Sequence, residues 1–154
     1  MVLKLYDTLT REVREVFPMD EKVVRFYGCG PTVYGPAHIG NFRTFVMQDV
    51  FRRVLETSGQ KTFHVRNLTD VDDKTIRQSQ EEGVKLEDFT DKWTARFRKD
   101  CEMLNLMSPH AEPSAVGHIP EQISLIQRLI DAGKAYQASD GSVYFKVDAF
   151  AEYG

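Results

Sequence analysis

A chain of 154 residues, 42% hydrophobic and 28% charged, has the balance of a folded water-soluble domain and not of a disordered segment. No stretch approaches the roughly 18 uncharged apolar residues that a membrane helix needs. The opening MVLKLYDTLTREVREVF carries charge too early for the apolar region of a secretory signal, so a cytoplasmic location is expected. The net charge of −3 argues against a protein that coats nucleic acid nonspecifically, although a local basic patch can still steer one. Two cysteines, Cys29 and Cys101, are too few for a disulfide framework.

In chain order, LKLYDTL and REVREVF predict a short hairpin or extended lead-in. KVVRFYGCG (22–30) is a short apolar run ending in glycines, as in a buried strand. PTVYGPA (31–37), with two prolines and a glycine, is a loop. From about Ile39 to Ser58, Phe42, Phe45, Val46, Val50, Val54 and Leu55 recur at helical spacing, with Gly59 as C-cap. KTFHVRN (61–67) is a second strand. Strand, helix and strand of these lengths make a βαβ unit with a parallel sheet. A helix from about Leu86 to Leu104 carries Leu86, Phe89, Trp93, Phe97, Cys101 and Leu104 on one stripe. Another, from about Pro120 to Ala132, carries Ile123, Ile126, Leu129 and Ile130, with Gly133 just past its end. KAYQASDGSVYFKV (134–147) reads as a hairpin about an Asp-Gly turn. SPHAEPSAVG (108–117) is a plausible joint, which divides the chain into parts 1–110 and 111–154. The last residues, AEYG, close no element, which suggests a truncated chain.

The stretch GCGPTVYGPAHIGN (28–41) lies between a strand's carboxyl end and a helix's N-terminus. In open parallel sheets that crevice takes ligands, and the helix's N–H groups and dipole favour a phosphate. Gly28, Gly30, Gly35 and Gly40 let backbone come close to a ligand. On spacing alone, a loop that merely turns the chain is an equal reading. Thr69-Asp-Val-Asp-Asp73 brings three carboxylates to the end of the second strand. They can hold magnesium, orient an ammonium group, or cap the next helix, and Asp72 and Asp73 are favoured as caps of a helix beginning near Lys74.

CGPTVYGPAHIGN resembles the cysteinyl-tRNA synthetase form of the class I HIGH motif. RTFVMQDV (43–50) and VRNLTDVDDK (65–74) are similar to two further blocks of that family, at matching spacing, and the likeness runs from about Leu3 to Gly154. It implies an α/β fold: the first half of a Rossmann-type parallel-sheet class I catalytic domain, with the start of the connective insertion from about residue 111. It also implies ATP-dependent activation of L-cysteine and its transfer to tRNA(Cys), in a monomeric enzyme that needs no membrane. His38, Gly40 and Asn41 would meet ATP, with His38 and Asn41 as the catalytic pair that stabilises the α-phosphate. The family usually has histidine where this chain has Asn41, which can donate a neutral hydrogen bond but carries no positive charge. Gly30, Thr32 and Thr69 would face the cysteine. Cys29 would ligate Zn2+, whose softness selects a thiolate over a serine hydroxyl, with the remaining ligands beyond residue 154. ATP would enter with Mg2+.

Cys101 is read as core, as are Phe89, Trp93 and Phe97 at helical spacing. His64, His110 and His118 match no ligand position of the family. EPSAVGHI (112–119) is similar to the block that opens the connective insertion, but has Ser114 and Val116 where arginine and threonine are more usual. Arg43, Arg52, Arg53 and Arg66 are read as a solvated face. Three other functions compete. A paralogous ligase of the mycothiol pathway also activates cysteine, a non-catalytic fragment would serve as a binding module, and an unrelated nucleotidyltransferase would share only the loop. With no KMSKS-like loop and no second half of the sheet in these residues, the chain alone is expected to be inactive.

Overall fold

The computed structural model describes residues 3–19 and 22–153, in two units, Met1–Val116 and Gly117–Gly154. The expected hairpin forms from β1 (Lys4–Asp7) and β2 (Glu12–Glu15), paired antiparallel from Lys4↔Glu15 to Asp7↔Glu12. Its turn is held by the Asp7 carboxylate, which accepts from Leu9 N, Thr10 Oγ1 and Arg14 Nη1 at 2.9 to 3.0 Å. These bonds, led by the Leu9 N–H, hold the Asp7 carboxyl below its ordinary range.

The βαβ unit comprises β3 (Val23–Gly28), α1 (Ile39–Thr57) and β4 (Lys61–Arg66). β3 and β4 pair in parallel from Val23↔Lys61 to Gly28↔Arg66, and the long crossover that parallel pairing demands is α1. The helix closes at Ser58, and Gly59 adopts φ +83°, a left-handed conformation that a side chain disfavours. Gln60 N then bonds Leu55 O at 3.0 Å. α2 (Asp73–Glu82) and α3 (Leu86–Met103) follow and pack on each other.

The core gathers Val33, Phe42, Phe45, Leu68, Phe97 and Cys101. The Phe45 and Phe97 rings meet edge-on with centroids 5.0 Å apart, a geometry in which ring edge faces ring π-cloud. On α1 the buried stripe differs from the expected one: Val46 and Val50 are exposed, while Asp49 is buried. Asp49 is tolerated because its carboxylate accepts from Arg53 Nε at 2.6 Å and Met107 N at 2.8 Å.

Two expectations about the first unit need correction. Arg66 is only 4% exposed, not on a solvated face. Its guanidinium donates to Glu112 Oε1 at 2.7 Å and lies 5.6 and 5.0 Å from the Phe45 and Phe97 ring centroids, so charge and π-faces together replace water. Arg52 and Arg53 are half-buried and donate to Ser108 O and Asn105 O, bracing the segment after α3. Secondly, residues 110–115 are not a bare joint. They run parallel to the far edge of β4, with bridges Val65↔Ala111 and Leu68↔Ser114 and bonds such as Leu68 N to Pro113 O at 2.8 Å. The first unit therefore continues to Val116.

The second unit contains α4 (Ile119–Asp131) and the hairpin β5 (Ala135–Gln137) with β6 (Val143–Phe145), paired from Ala135↔Phe145 to Gln137↔Val143. None of its described residues is buried. Ile123 and Ile126 of α4 stand exposed, as do Tyr136, Tyr144 and Phe145 of the hairpin. Among the described residues, no helix is long and apolar enough to cross a membrane.

Candidate functional site

β3 ends at Gly28, and the next two residues carry the chain past the end of the sheet. A side chain at residue 30 has no room, since a Cβ there would lie 1.6 Å from Asn67 O. Glycine lets the two strand ends touch, and Gly30 N donates to Asn67 Oδ1 at 2.9 Å. The same oxygen accepts from the Tyr27 hydroxyl at 2.6 Å, while Asn67 Nδ2 donates to Thr69 Oγ1 at 2.9 Å. Past this knot the strands pair again. Thr69 N bonds Pro31 O at 3.0 Å and Val33 N bonds Thr69 O at 3.1 Å, around the bridge Thr32↔Thr69. The loop 31–37 is therefore anchored at its start by the sheet.

His38 caps α1 with extended backbone (φ −93°, ψ 171°). Its Nδ1 accepts from Gly40 N at 3.1 Å and Asn41 N at 3.3 Å, and Asn41 Oδ1 accepts from His38 N at 3.1 Å. This reciprocal capping box satisfies helix N–H groups that have no partner in the preceding turn. A nitrogen that accepts two N–H bonds holds no proton, so neutral His38 carries its hydrogen on Nε2. The short Asn41 amide folds back onto the cap residue and leaves its Nδ2–H groups as neutral donors.

The opposite wall begins at α2. Asp72 caps it, accepting from Lys74 N at 2.8 Å, and Asp72 N donates to Thr75 Oγ1 at 2.9 Å, so the capping role read for Asp72 holds. Asp73 is the first helical residue, and Asp70 Oδ1 accepts from Val116 N at 2.9 Å. The Asp72 and Asp70 carboxylates are thus occupied in different directions, one by its own helix and the other by the Val116 N–H. Between the walls lies a cleft of about 420 Å³, lined among others by Cys29, Gly30, Thr32, Tyr34, His38, Asn41, Phe97 and Lys74. Gly40 and Thr69 are not in its lining; Gly40 lies within α1 and Thr69 in the paired strand ends.

Asn67 and Lys74 were missed as site residues. Asn67 looked like the last residue of a strand, and its role depends on Gly30 approaching from 37 positions away. Lys74 was legible only as a helix start. His64 lies outside the cleft, 2% exposed and stacked on Phe26 at 4.4 Å. Burial, with help from the Arg66 and Arg52 charges, pushes its pKa down to about 4. Burial pushes the Cys101 thiol up.

Cys29 is exposed at the cleft, its Sγ making only a 3.8 Å contact with Gly30 O. A thiol so placed fits a soft metal as one ligand. Among the described residues, no group of three histidine, cysteine or carboxylate side chains lies close enough to hold a metal ion.

A cleft at the carboxyl end of a parallel βαβ unit, beside a histidine-capped helix, is the arrangement of the class I synthetase catalytic fold. The ternary complex of Agrobacterium radiobacter K84 agnB2 LeuRS-tRNA-LeuAMS shares this fold with a TM-score of 0.66, at 18% identity over 76% of this chain and 15% of that one. A family model described as the tRNA synthetase class I (C) catalytic domain matches residues 15–154, and the chain belongs to that family. Over its whole length it is 57% identical to a cysteine–tRNA ligase of Opitutus terrae, covering 34% of that protein. Cysteine–tRNA ligases of Methanosarcina acetivorans and Koribacter versatilis are 49% and 45% identical, over 99% and 100% of the chain and 32% and 31% of their own lengths. The chain thus spans about a third of the length of the curated relatives it matches.

Proposed function

We propose that this chain forms one wall of the active site of a cysteine–tRNA ligase, a soluble cytoplasmic monomer that joins L-cysteine to tRNA(Cys) at the expense of ATP. The observation that carries this reading is the His38 cap. Its Nδ1 is committed to the α1 backbone, which fixes the ring and leaves Nε2–H as the donor available in the cleft. A ring held this way needs no reorganisation when charge develops on the α-phosphate, which is how preorganised donors lower a barrier.

In the first step a carboxylate oxygen of cysteine attacks the α-phosphorus of ATP. The bond from that phosphorus to the bridging oxygen breaks, and pyrophosphate leaves with the electron pair; Mg2+ entering with ATP would offset its charge. His38 Nε2–H and the Asn41 side-chain N–H donate to the α-phosphate oxygens as they gain charge, at the positive end of the α1 dipole. Gly30 and Thr32 line the cysteine end of the cleft, with Thr69 holding their strand in place. Zn2+ would supply a soft Lewis acid for the substrate thiolate, with Cys29 as this chain's ligand and the others contributed by residues outside it. In the second step a ribose hydroxyl of the terminal adenosine of tRNA(Cys) attacks the carbonyl carbon of the adenylate, forming an ester as the carbon–oxygen bond to the phosphate breaks and AMP leaves.

The test is aminoacylation by any longer polypeptide that carries this chain, supplied with ATP, Zn2+, radiolabelled cysteine and either tRNA(Cys) or an amino sugar acceptor. Label on the tRNA alone supports the reading. Label on the amino sugar alone assigns the chain to the paralogous ligase instead.

A further inference from the structure

We propose that Lys74 holds the departing pyrophosphate, as the cationic counterpart of His38 in the same cleft; this deepens the function proposed above and rests on it. Among the residues that line it, Lys74 is the one lysine or arginine, and no carboxylate lines it. His38, committed at Nδ1, and Asn41 are neutral donors. A polyphosphate entering this space meets a single positive lysine or arginine side chain.

Local structure sets that charge in place. Asp72 accepts from Lys74 N at 2.8 Å and holds Thr75 by its own N–H, so the Lys74 backbone is fixed in the first turn of α2. The Lys74 side chain makes no ion pair with a described residue. Its Nζ rests over the Tyr34 ring, 5.1 Å from the centroid. Tyr34 itself belongs to the cleft lining, so the resting ammonium is already at the cleft. A cation on an exposed ring face is weakly held and keeps its three donors for an anion. When the bond from the α-phosphorus to the bridging oxygen breaks, the electron pair goes to pyrophosphate. An ammonium close to that oxygen stabilises the charge that develops there.

The experiment is cysteine-dependent ATP–pyrophosphate exchange by the longer polypeptide, comparing wild type with Lys74→Met and Lys74→Arg. Methionine keeps the length and loses the charge; arginine keeps the charge. The expected result is that Lys74→Met raises KM for pyrophosphate by about tenfold or more, with KM for cysteine and the melting temperature unchanged. Lys74→Arg recovers most of the loss. Exchange by Lys74→Met with both KM values and kcat within about twofold of wild type overturns the assignment while leaving the proposed function standing. Absence of exchange in the wild type overturns the function and this assignment together.

Discussion

Replacing Gly30 with alanine puts a methyl group 1.6 Å from Asn67 O. A carbon–oxygen contact settles at about 3.3 Å, so one strand end must retreat by roughly 1.7 Å. The atom in the way is backbone, and no rotamer relieves it. The retreat pulls on four hydrogen bonds: Gly30 N and Tyr27 Oη to Asn67 Oδ1, Thr69 N to Pro31 O, and Val33 N to Thr69 O. At about 1 kcal/mol each, their loss comes to about 4 kcal/mol, a large share of the stability of a domain this size. For a chain of this length that is about 10 °C or more in melting temperature. Thermal unfolding of Gly30→Ala followed by circular dichroism checks it. Gly35→Ala is the control, because a Cβ there meets nothing within 4 Å and the melting temperature should hold. A Gly30→Ala protein that melts within about 2 °C of wild type refutes the reasoning.

Further outcomes follow from the other sites. His38→Ala removes the acceptor for two helix N–H groups and should cost about 1 kcal/mol in urea unfolding, whereas His38→Asn keeps a cap and most of that stability. Both variants should lose about 100-fold or more in cysteine activation in the longer polypeptide, since neither presents Nε2–H. Between pH 6.5 and about 4 the unfolded chain protonates His64 and the folded chain resists, so stability is full above about 6.5 and falls as pH drops through that window. The contribution reaches about 3 kcal/mol at the acid end, and urea titrations at several pH values should show His64→Phe losing that part of the acid sensitivity. A thiol reagent should label Cys29 in the native chain and Cys101 only after unfolding; two equal, fast labelling phases would contradict the packing.

Much of the fold was legible because its cues are local. Periodicity and caps located α1, α3 and α4 to within a residue or two, and the Asp-Gly turn located the last hairpin. What escaped depends on partners far along the chain. Arg66 looked like a surface charge because Glu112, 46 residues on, supplies its counter-charge. Val46 and Val50 fitted the apolar spacing of α1, but Asp49 takes the inward position because Arg53 and Met107 N satisfy it. The strand-like run of 110–115 carried no period-two signal; backbone pairing with β4 and the two ion pairs of Glu112 hold it. At the site, the glycines and His38 could be read from their place between strand and helix. The Asn67 knot could not, because its signal is a contact between two strand ends.

The central claim, that this cleft activates cysteine on ATP, is tested most directly by ATP–pyrophosphate exchange. The longer polypeptide should be supplied with Zn2+, Mg2+ and each of several amino acids in turn. The account predicts exchange with cysteine, little with serine, and its loss on substituting His38 or Cys29. Exchange equally fast with serine, or unchanged without His38, would contradict it.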